Sequence, residues 1–232
     1  ALIASAIDGI AGGGGLLVVP TMLLLGLNPL VTLGTNKLQS CFGTVTSSYN
    51  YFKNGLLKEK NIKFLFLISF IGSFFGTLLV SQLSNEILNT IIPIFLISAA
   101  IFLIVNKQIN IKSVSIISSF FIPFIFLIGF YDGFFGPGTG TFFVLTFLII
   151  KQRNLMEATS ATKVLNFSSN FAAFLVFAYK GLVFWELGLI MAIAQILGAY
   201  IGSNLAITKG ESFVRPVIVL ISIILSIRIL LS

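Results

Sequence analysis

Apolar runs of roughly the length that crosses a lipid bilayer recur along the chain, at residues 64–80, 87–105, 114–130, 187–207 and 217–231. A helical span needs about 20 mostly apolar residues to cross about 30 Å of hydrocarbon. The chain is 57% hydrophobic and 9% charged, whereas a soluble domain carries about 25% charged residues. Its surface therefore cannot face mainly water. The sequence predicts an all-α, multi-pass integral membrane protein whose surroundings are the lipid bilayer.

The charge pattern excludes several classes of protein. The net charge of +7 lies mostly in short loops between the apolar runs, which is the ordinary pattern of loops beside membrane spans and argues against nucleic-acid binding. The single cysteine, Cys41, excludes an internal disulfide and a cysteine-based metal cluster. Because the chain contains no histidine, histidine-ligated metals and histidine-based acid–base catalysis are excluded too. We expect no cofactor, no metal site and no nucleic-acid partner.

The chain also contains an internal repeat. A shift of 126 residues aligns Lys37 with Lys163, Gly55-Leu56 with Gly181-Leu182, Gly72 with Gly198 and Gly76 with Gly202. A shift of 124 residues aligns Asp8-Gly9 with Asp132-Gly133, and each Asp-Gly precedes a glycine-rich break, residues 12–15 and 136–140. The sequence predicts a first repeat over residues 1–106, a basic linker over 107–112 and a second repeat over 113–232.

Each repeat is expected to contain five helical segments. In the first repeat, one segment ends at residue 10 and the others cover 16–25, 29–52, 62–81 and 86–106. In the second repeat, the segments cover 114–131, 141–150, 156–179, 185–206 and 212–231. Residues 16–25 are too few to cross alone, so this segment and the break before it predict a bent or re-entrant pair. Glycine-rich backbone at membrane depth persists only where protein or a watery cavity satisfies its polar groups. The start at Ala1 lacks the basic region of a signal peptide, and we expect the first span to begin upstream of it.

The loops indicate how the repeats are oriented. The loop at 53–63 holds four lysines against one glutamate. The basic residues of 106–112 and 151–153 lie on the same side of the membrane as this loop if the bent pair of the second repeat enters the membrane and returns to the side from which it entered. The loop equivalent to 53–63 in the second repeat, residues 180–186, is neutral. Equivalent loops therefore face opposite sides, which predicts an inverted repeat. Inverted repeats with broken helices are a recurrent plan of membrane transporters.

Two lysines occupy equivalent positions inside predicted spans. A polar stripe accompanies them at helical spacing: Lys37, Ser40, Thr44 and Ser48 in one repeat, and Thr162, Lys163, Asn166 and Asn170 in the other. A lysine at the centre of a span costs at least about 2.5–3.5 kcal/mol and usually faces a cavity or a partner. The pair predicts one shared electropositive site. The alternatives are that the lysines form ion pairs with Asp8 and Asp132, and that the stripe makes interhelical hydrogen bonds.

The glycine breaks predict an anion site. The helices that follow Gly15 and Gly140 present unpaired N–H groups and a positive dipole end next to flexible backbone. Close helix packing is the alternative reason for intramembrane glycines, and it suits Gly72/Gly76 and Gly198/Gly202. Asp8 and Asp132, just before the breaks, could carry a coupling proton, pair with lysine or cap the following backbone. The predicted substrate-binding residues are Lys37, Lys163, Asn36, Gln39, Ser40, Thr162, Asn166, Gly13, Gly14, Gly15, Gly138 and Thr139.

These motifs resemble a known family. The first repeat has Ile-Asp-Gly-Ile-Ala-Gly-Gly-Gly-Gly-Leu at residues 7–16, Val19-Pro20, and Leu-Gly-Thr-Asn-Lys-Leu-Gln-Ser at 33–40. The second has Gly-Phe-Tyr-Asp-Gly-Phe-Phe-Gly-Pro-Gly-Thr-Gly at 129–140 and Ala-Thr-Lys-Val-Leu-Asn at 161–166. Together they resemble the sulfite exporter TauE/SafE family of membrane permeases over nearly the whole chain.

The resemblance implies a protein of bacterial-type inner membranes that moves small sulfur-containing anions such as sulfite or organosulfonates. The residue patterns favour a secondary transporter driven by an ion or proton gradient, because the chain has no ATP-binding motif. The alternative is an anion channel that would use the same residues. An intramembrane enzyme would need catalytic groups that the sequence does not show.

Overall fold

The computed structural model describes residues 1–105 and 120–210, and in this part of the chain all regular structure is helical. The helices are α1 (Leu2–Ala11), α2 (Gly15–Leu24), α3 (Pro29–Lys53), α4 (Ile62–Val80), α5 (Asn85–Val105), α6 (Phe121–Phe134), α7 (Thr139–Ile150), α8 (Leu155–Tyr179) and α9 (Trp185–Lys209). The all-α prediction is confirmed for these residues. The predicted linker 107–112, the start of segment 114–131 and the segment 212–231 lie outside the described residues.

The two breaks are shorter than the sequence predicts. The backbone takes positive φ angles at Gly12, Gly13, Gly136 and Gly138, whereas Gly15 already begins α2. Residue 139 likewise begins α7. Positive φ is accessible mainly to glycine, but the last glycines of each run keep the dihedral angles of a first helical turn. The predicted non-helical ranges 12–15 and 136–140 are therefore wrong at their C-terminal ends.

The long helices α3 and α8 begin at asparagine caps. Asn28 Oδ1 accepts hydrogen bonds from the Leu30 and Val31 N–H groups at 3.0 and 3.4 Å, and Pro29 occupies the first helical position. Asn154 Oδ1 accepts from the Glu157 N–H at 2.9 Å. An asparagine cap satisfies N–H groups that the helix itself leaves unpaired, and proline fits the first turn because it has no N–H to lose.

The short helices pack across the repeat boundary. Helix α6 crosses α4 at Gly72 and Gly76, where an added Cβ would collide with the carbonyl oxygens of residues 126 and 130. Helix α1 crosses α9 at Gly198 and Gly202, where a Cβ would collide with the carbonyl oxygens of residues 2 and 6. The packing role of these four glycines is confirmed, and the same contact occurs twice at positions related by the repeat.

Helices α3 and α8 lie against each other in the middle of the described structure and run in opposite directions. Near the start of α3, an added Cβ on Gly34 would collide with the carbonyl oxygen of Leu182, just beyond the end of α8. Just beyond the end of α3, Lys58 Nζ lies 3.2 Å from Glu157 Oε1 in the first turn of α8. Each helix is 25 residues long, and most of their polar side chains are buried between helices.

The outer helices carry an apolar surface. Among the described residues, α4 and α9 are long and apolar enough to cross a membrane. Their outward side chains are exposed and apolar: Phe64, Leu67, Ile71 and Phe75 on α4, and Leu189, Ile190, Ile193 and Leu197 on α9. Large exposed apolar patches are rare on proteins that face water, whereas lipid tails accept them. This surface fits a membrane environment.

Candidate functional site

The two glycine breaks lie against each other. A Cβ on Gly12 would approach the Cα of Gly140 to 3.1 Å, and one on Gly15 would approach the Cα of Pro137 to 3.5 Å. These are close main-chain approaches, and the positive φ of Gly12 also favours glycine there. The chain therefore brings the start of α2 and the start of α7 to one place.

A cavity lies between the breaks and helices α3, α8 and α9. Its volume is about 40 Å³, more than one water molecule needs. Its wall contains eleven of the fourteen residues singled out from the sequence: Asp8, Gly13, Gly14, Gly15, Asn36, Lys37, Ser40, Asp132, Gly138, Thr139 and Asn166. Gly136, Gly140, Thr44, Asn170 and Gln195 complete it.

Three predicted residues do not line this cavity: Gln39, Thr162 and Lys163. Each is fully buried among the helices. Of the two lysines, Lys37 lines this cavity and Lys163 does not, so a shared site for both lysines stays a prediction. The Lys163 ammonium group turns instead to the main-chain oxygen of Asp8, to which it donates a hydrogen bond.

Sequence reasoning missed Gln195. This residue lies within the apolar run 187–207 and is 5% exposed. A lone amide inside an apolar span is the signal that could have identified it, because polar side chains there usually serve a partner or a cavity.

The buried lysines form ion pairs across the repeat boundary. Lys37 Nζ lies 2.9 Å from Asp132 Oδ1, and the two side chains are 1% and 4% exposed. Lys163 Nζ lies 3.5 Å from Asp8 Oδ2. The interpretation that each lysine pairs with an aspartate is confirmed. Each positive charge is matched by a negative one, so the four groups create no net formal charge.

Hydrogen bonds separate the other interpretations. Asp8 Oδ1 accepts from the Gly14 N–H at 3.3 Å, so Asp8 both caps the break and pairs with lysine. The polar stripe bonds along its own helices: Thr44 Oγ1 donates to the Ser40 carbonyl and Asn170 Nδ2 to the Asn166 carbonyl, both at 2.7 Å. These two side chains therefore bond within their own helices, and the alternative of interhelical hydrogen bonds does not describe these two bonds.

The remaining donors converge on the helix starts. A Cβ on Gly15, the first residue of α2, would lie 3.8 Å from Asn36 Nδ2. A Cβ on Gly140, the second residue of α7, would lie 3.0 Å from Asn166 Nδ2. First-turn N–H groups have no acceptor within their helix and carry the positive end of its dipole. In α2 the Leu16 and Leu17 N–H groups donate to the Gly13 and Gly14 carbonyl oxygens, and in α7 the Thr141 N–H group donates to the Gly138 carbonyl oxygen. The Gly15 and Gly140 N–H groups make no such bond with a described residue, so each helix start presents one main-chain N–H group beside an asparagine amide, on the two sides of one cavity.

Comparison with known proteins gives consistent matches. The chain is 42% identical to a probable membrane transporter protein, ORF9, of a Sinorhizobium species, covering 99% of this chain and 89% of the relative. It is 36% identical to the probable membrane transporter protein YfcA of Escherichia coli K12, with 99% and 87% covered, and 34% identical to a probable membrane transporter protein of Haemophilus influenzae, with 97% and 89% covered. No solved structure matches significantly. The sequence pattern of the sulfite exporter TauE/SafE family matches residues 1–229, and the chain belongs to that family.

Proposed function

We propose that this chain is a secondary transporter of small sulfur-containing anions, such as sulfite or organosulfonates, in a bacterial inner membrane. The observation that carries the proposal is the convergence of two helix starts, each beside an asparagine amide, on one cavity next to Lys37. Helix N-termini with flexible glycine backbone are ready-made anion sites. The membrane-transporter names of the relatives support the class of protein, and the family name supports the substrate class.

The site binds an anion through hydrogen-bond donors rather than through excess charge. Lys37 is held by Asp132, but its ammonium group has three N–H bonds and makes no hydrogen bond of good geometry with a described residue. It can therefore donate to a sulfur oxyanion while keeping its ion pair. Charge-assisted bonds of this kind contribute more than neutral ones. Asp8 and Asp132, in the same wall, are the candidates to carry a coupling proton.

The transport plan is an inverted repeat, with the halves related by a rotation of about 180° around an axis in the membrane plane. The opposite directions of α3 and α8 support it, as do the matched contacts of α6 with α4 and of α1 with α9. An axis along the membrane normal would leave equivalent helices parallel. On this plan, residues 1–106 and 113–232 are the two halves that move around the cavity.

Cysteine labelling tests this orientation. Lys60→Cys and Lys180→Cys place thiols in equivalent loops, at exposed positions, while the native Cys41 is buried. We expect an impermeant maleimide to label Lys60→Cys from the cytoplasmic side only and Lys180→Cys from the opposite side only. The parent protein, with Cys41 alone, is the control for background labelling. Labelling of both variants from the same side would contradict the inverted repeat.

Uptake into proteoliposomes tests the function. We expect the purified protein to take up radiolabelled sulfite in a saturable manner above empty liposomes, with competition by thiosulfate or sulfoacetate. Liposomes preloaded with unlabelled sulfite should accumulate label faster, because a carrier exchanges one substrate molecule for another. Uptake that never saturates and shows no exchange would indicate an anion channel instead. Uptake of none of these anions would overturn the proposal.

A further inference from the structure

A chain of buried amides connects the second half of the protein to the cavity wall. Gln195 Nε2 donates to Gln39 Oε1 at 3.1 Å, and Gln39 Nε2 donates to Asn36 Oδ1 at 2.9 Å. The three side chains are 5%, 0% and 4% exposed. We propose that Gln195 and Gln39 are positioning residues that hold the Asn36 amide with its N–H bonds toward the transported anion. This inference rests on the proposed function, since it names what orients one of the anion's donors.

The direction of the chain decides what Asn36 offers. A carboxamide has one acceptor oxygen and one donor nitrogen, and the Asn36 oxygen already accepts from Gln39. The nitrogen Nδ2 makes no hydrogen bond with another described residue, lies beside Gly15 at the start of α2, and belongs to a residue of the cavity wall. If Asn36 turned over, its oxygen would face the anion and repel it. The donor from Gln39 prevents this turn.

Gln195 is itself fixed at two points. Ser5 Oγ donates to its main-chain oxygen at 2.6 Å. Its side-chain oxygen occupies the space beside Gly43, where any Cβ would collide with it. Glycine at position 43 thus leaves room for an amide that crosses from α9 to α3. A glutamine anchored in this way can hold Gln39 in one orientation.

The amide chain exists in one half only. The positions equivalent to Gln195, Gln39 and Asn36 are Ser69, Leu165 and Thr162. There, Ser69 Oγ donates to the main-chain oxygen of Leu165 at 3.2 Å. None of these three residues has a side-chain amide that could orient a donor in the cavity wall. On that side Asn166 serves as the donor, and its Oδ1 has no partner among the described residues. The Asn36 amide is therefore held in one orientation by a hydrogen bond, whereas the Asn166 amide is free to turn over. On this inference, Asn36 determines where the anion binds.

The test compares Gln39→Met with Leu165→Met, its counterpart in the other half. Methionine keeps the length of glutamine and removes both hydrogen bonds. We expect Gln39→Met to raise the KM for sulfite uptake about tenfold and to leave the maximal rate and the amount of folded protein unchanged. Gln195→Met should raise the KM less, because Gln39 can still donate to Asn36. Leu165→Met should stay within about twofold of the parent.

A double-mutant cycle separates positioning from general packing. In an Asn36→Ala background, Gln39→Met should change the KM no further, because Gln39 acts through Asn36. An unchanged KM in the single Gln39→Met variant, or an equal further rise in the Asn36→Ala background, would overturn the inference. If Gln39→Met does not fold, the same cycle with Gln39→Leu decides it, because leucine is the residue at the equivalent position 165 of the other half.

The positioning role of the amide chain and the proposed function can fail independently. If the parent protein takes up no sulfite, thiosulfate or sulfoacetate, the proposed function fails. The amide chain is then judged from the side-chain resonance of Asn36 in nitrogen-labelled protein. That resonance should shift in Gln39→Met and remain in place in Leu165→Met. An unshifted resonance in Gln39→Met overturns the inference.

Discussion

Lys37→Met is expected to destabilise the folded protein by about 3–5 kcal/mol, because it leaves the Asp132 carboxylate buried without its positive partner. The pair is separated by 2.9 Å and almost completely excluded from solvent. The measurement is the free energy of unfolding in mixed micelles, followed by circular dichroism. Lys58→Met is the control, because Lys58 pairs with Glu157 at 3.2 Å but is 61% exposed. An exposed pair of this kind contributes at most about 1 kcal/mol.

The double variant Lys37→Met/Asp132→Leu separates stability from binding. Replacing both partners of a buried pair by apolar residues is often neutral, so we expect the double variant to recover most of the lost stability. It should still bind sulfite at least about tenfold more weakly than the parent, because the Lys37 ammonium group is gone. Full stability in the single variant would contradict the buried ion pair. Parental sulfite affinity in a folded double variant would show that Lys37 is structural only.

For the described residues, the sequence was sufficient to predict about where the helices lie, because its signals were local. Apolar runs, an Asp-Gly before each break, and the asparagine and proline at the start of α3 each act within a few residues. The aspartate partners of the lysines could also be inferred, since few other charges lie inside the predicted spans. Their pairing across the two halves follows from α1 packing on α9 and α6 on α4, which no local pattern contains.

Other features depend on contacts that the sequence does not encode locally. Lys37 and Lys163 occupy equivalent positions, yet only Lys37 lines the cavity. The difference arises because the Asp8 main-chain oxygen lies within reach of the Lys163 ammonium group and accepts its hydrogen bond. Gln39 was predicted to contact the substrate, and the structure adds that its side chain hydrogen-bonds to Asn36 and Gln195. Helical spacing identifies the face of the helix on which a residue lies, but it cannot show which neighbouring residue packs against that face.

The close crossings of α6 over α4 and of α1 over α9 lead to the second large prediction. Gly76→Val and Gly202→Val should each destabilise the protein by about 3 kcal/mol, at the upper end of the usual cost of overpacking. In both crossings the obstacle is a main-chain carbonyl, of residue 130 or of residue 6, and it cannot move aside as a flexible side chain could. The helices would have to separate and give up contacts along their length.

The free energy of unfolding in mixed micelles is again the measurement, and Leu79→Val is the control because Leu79 lies on the exposed side of α4. Equal losses in the two glycine variants are expected, since the repeat places the same contact at both positions. A harmless Gly76→Val would contradict the close crossing of α4 and α6. A loss at Gly76 alone would show that α1 and α9 can separate without cost, and that these two crossings differ in strength despite their matching geometry. Equal losses of stability would instead mean that the first helix of each half packs equally tightly against the other half, α1 on α9 and α6 on α4. The two helix breaks at the cavity would then be held with equal rigidity.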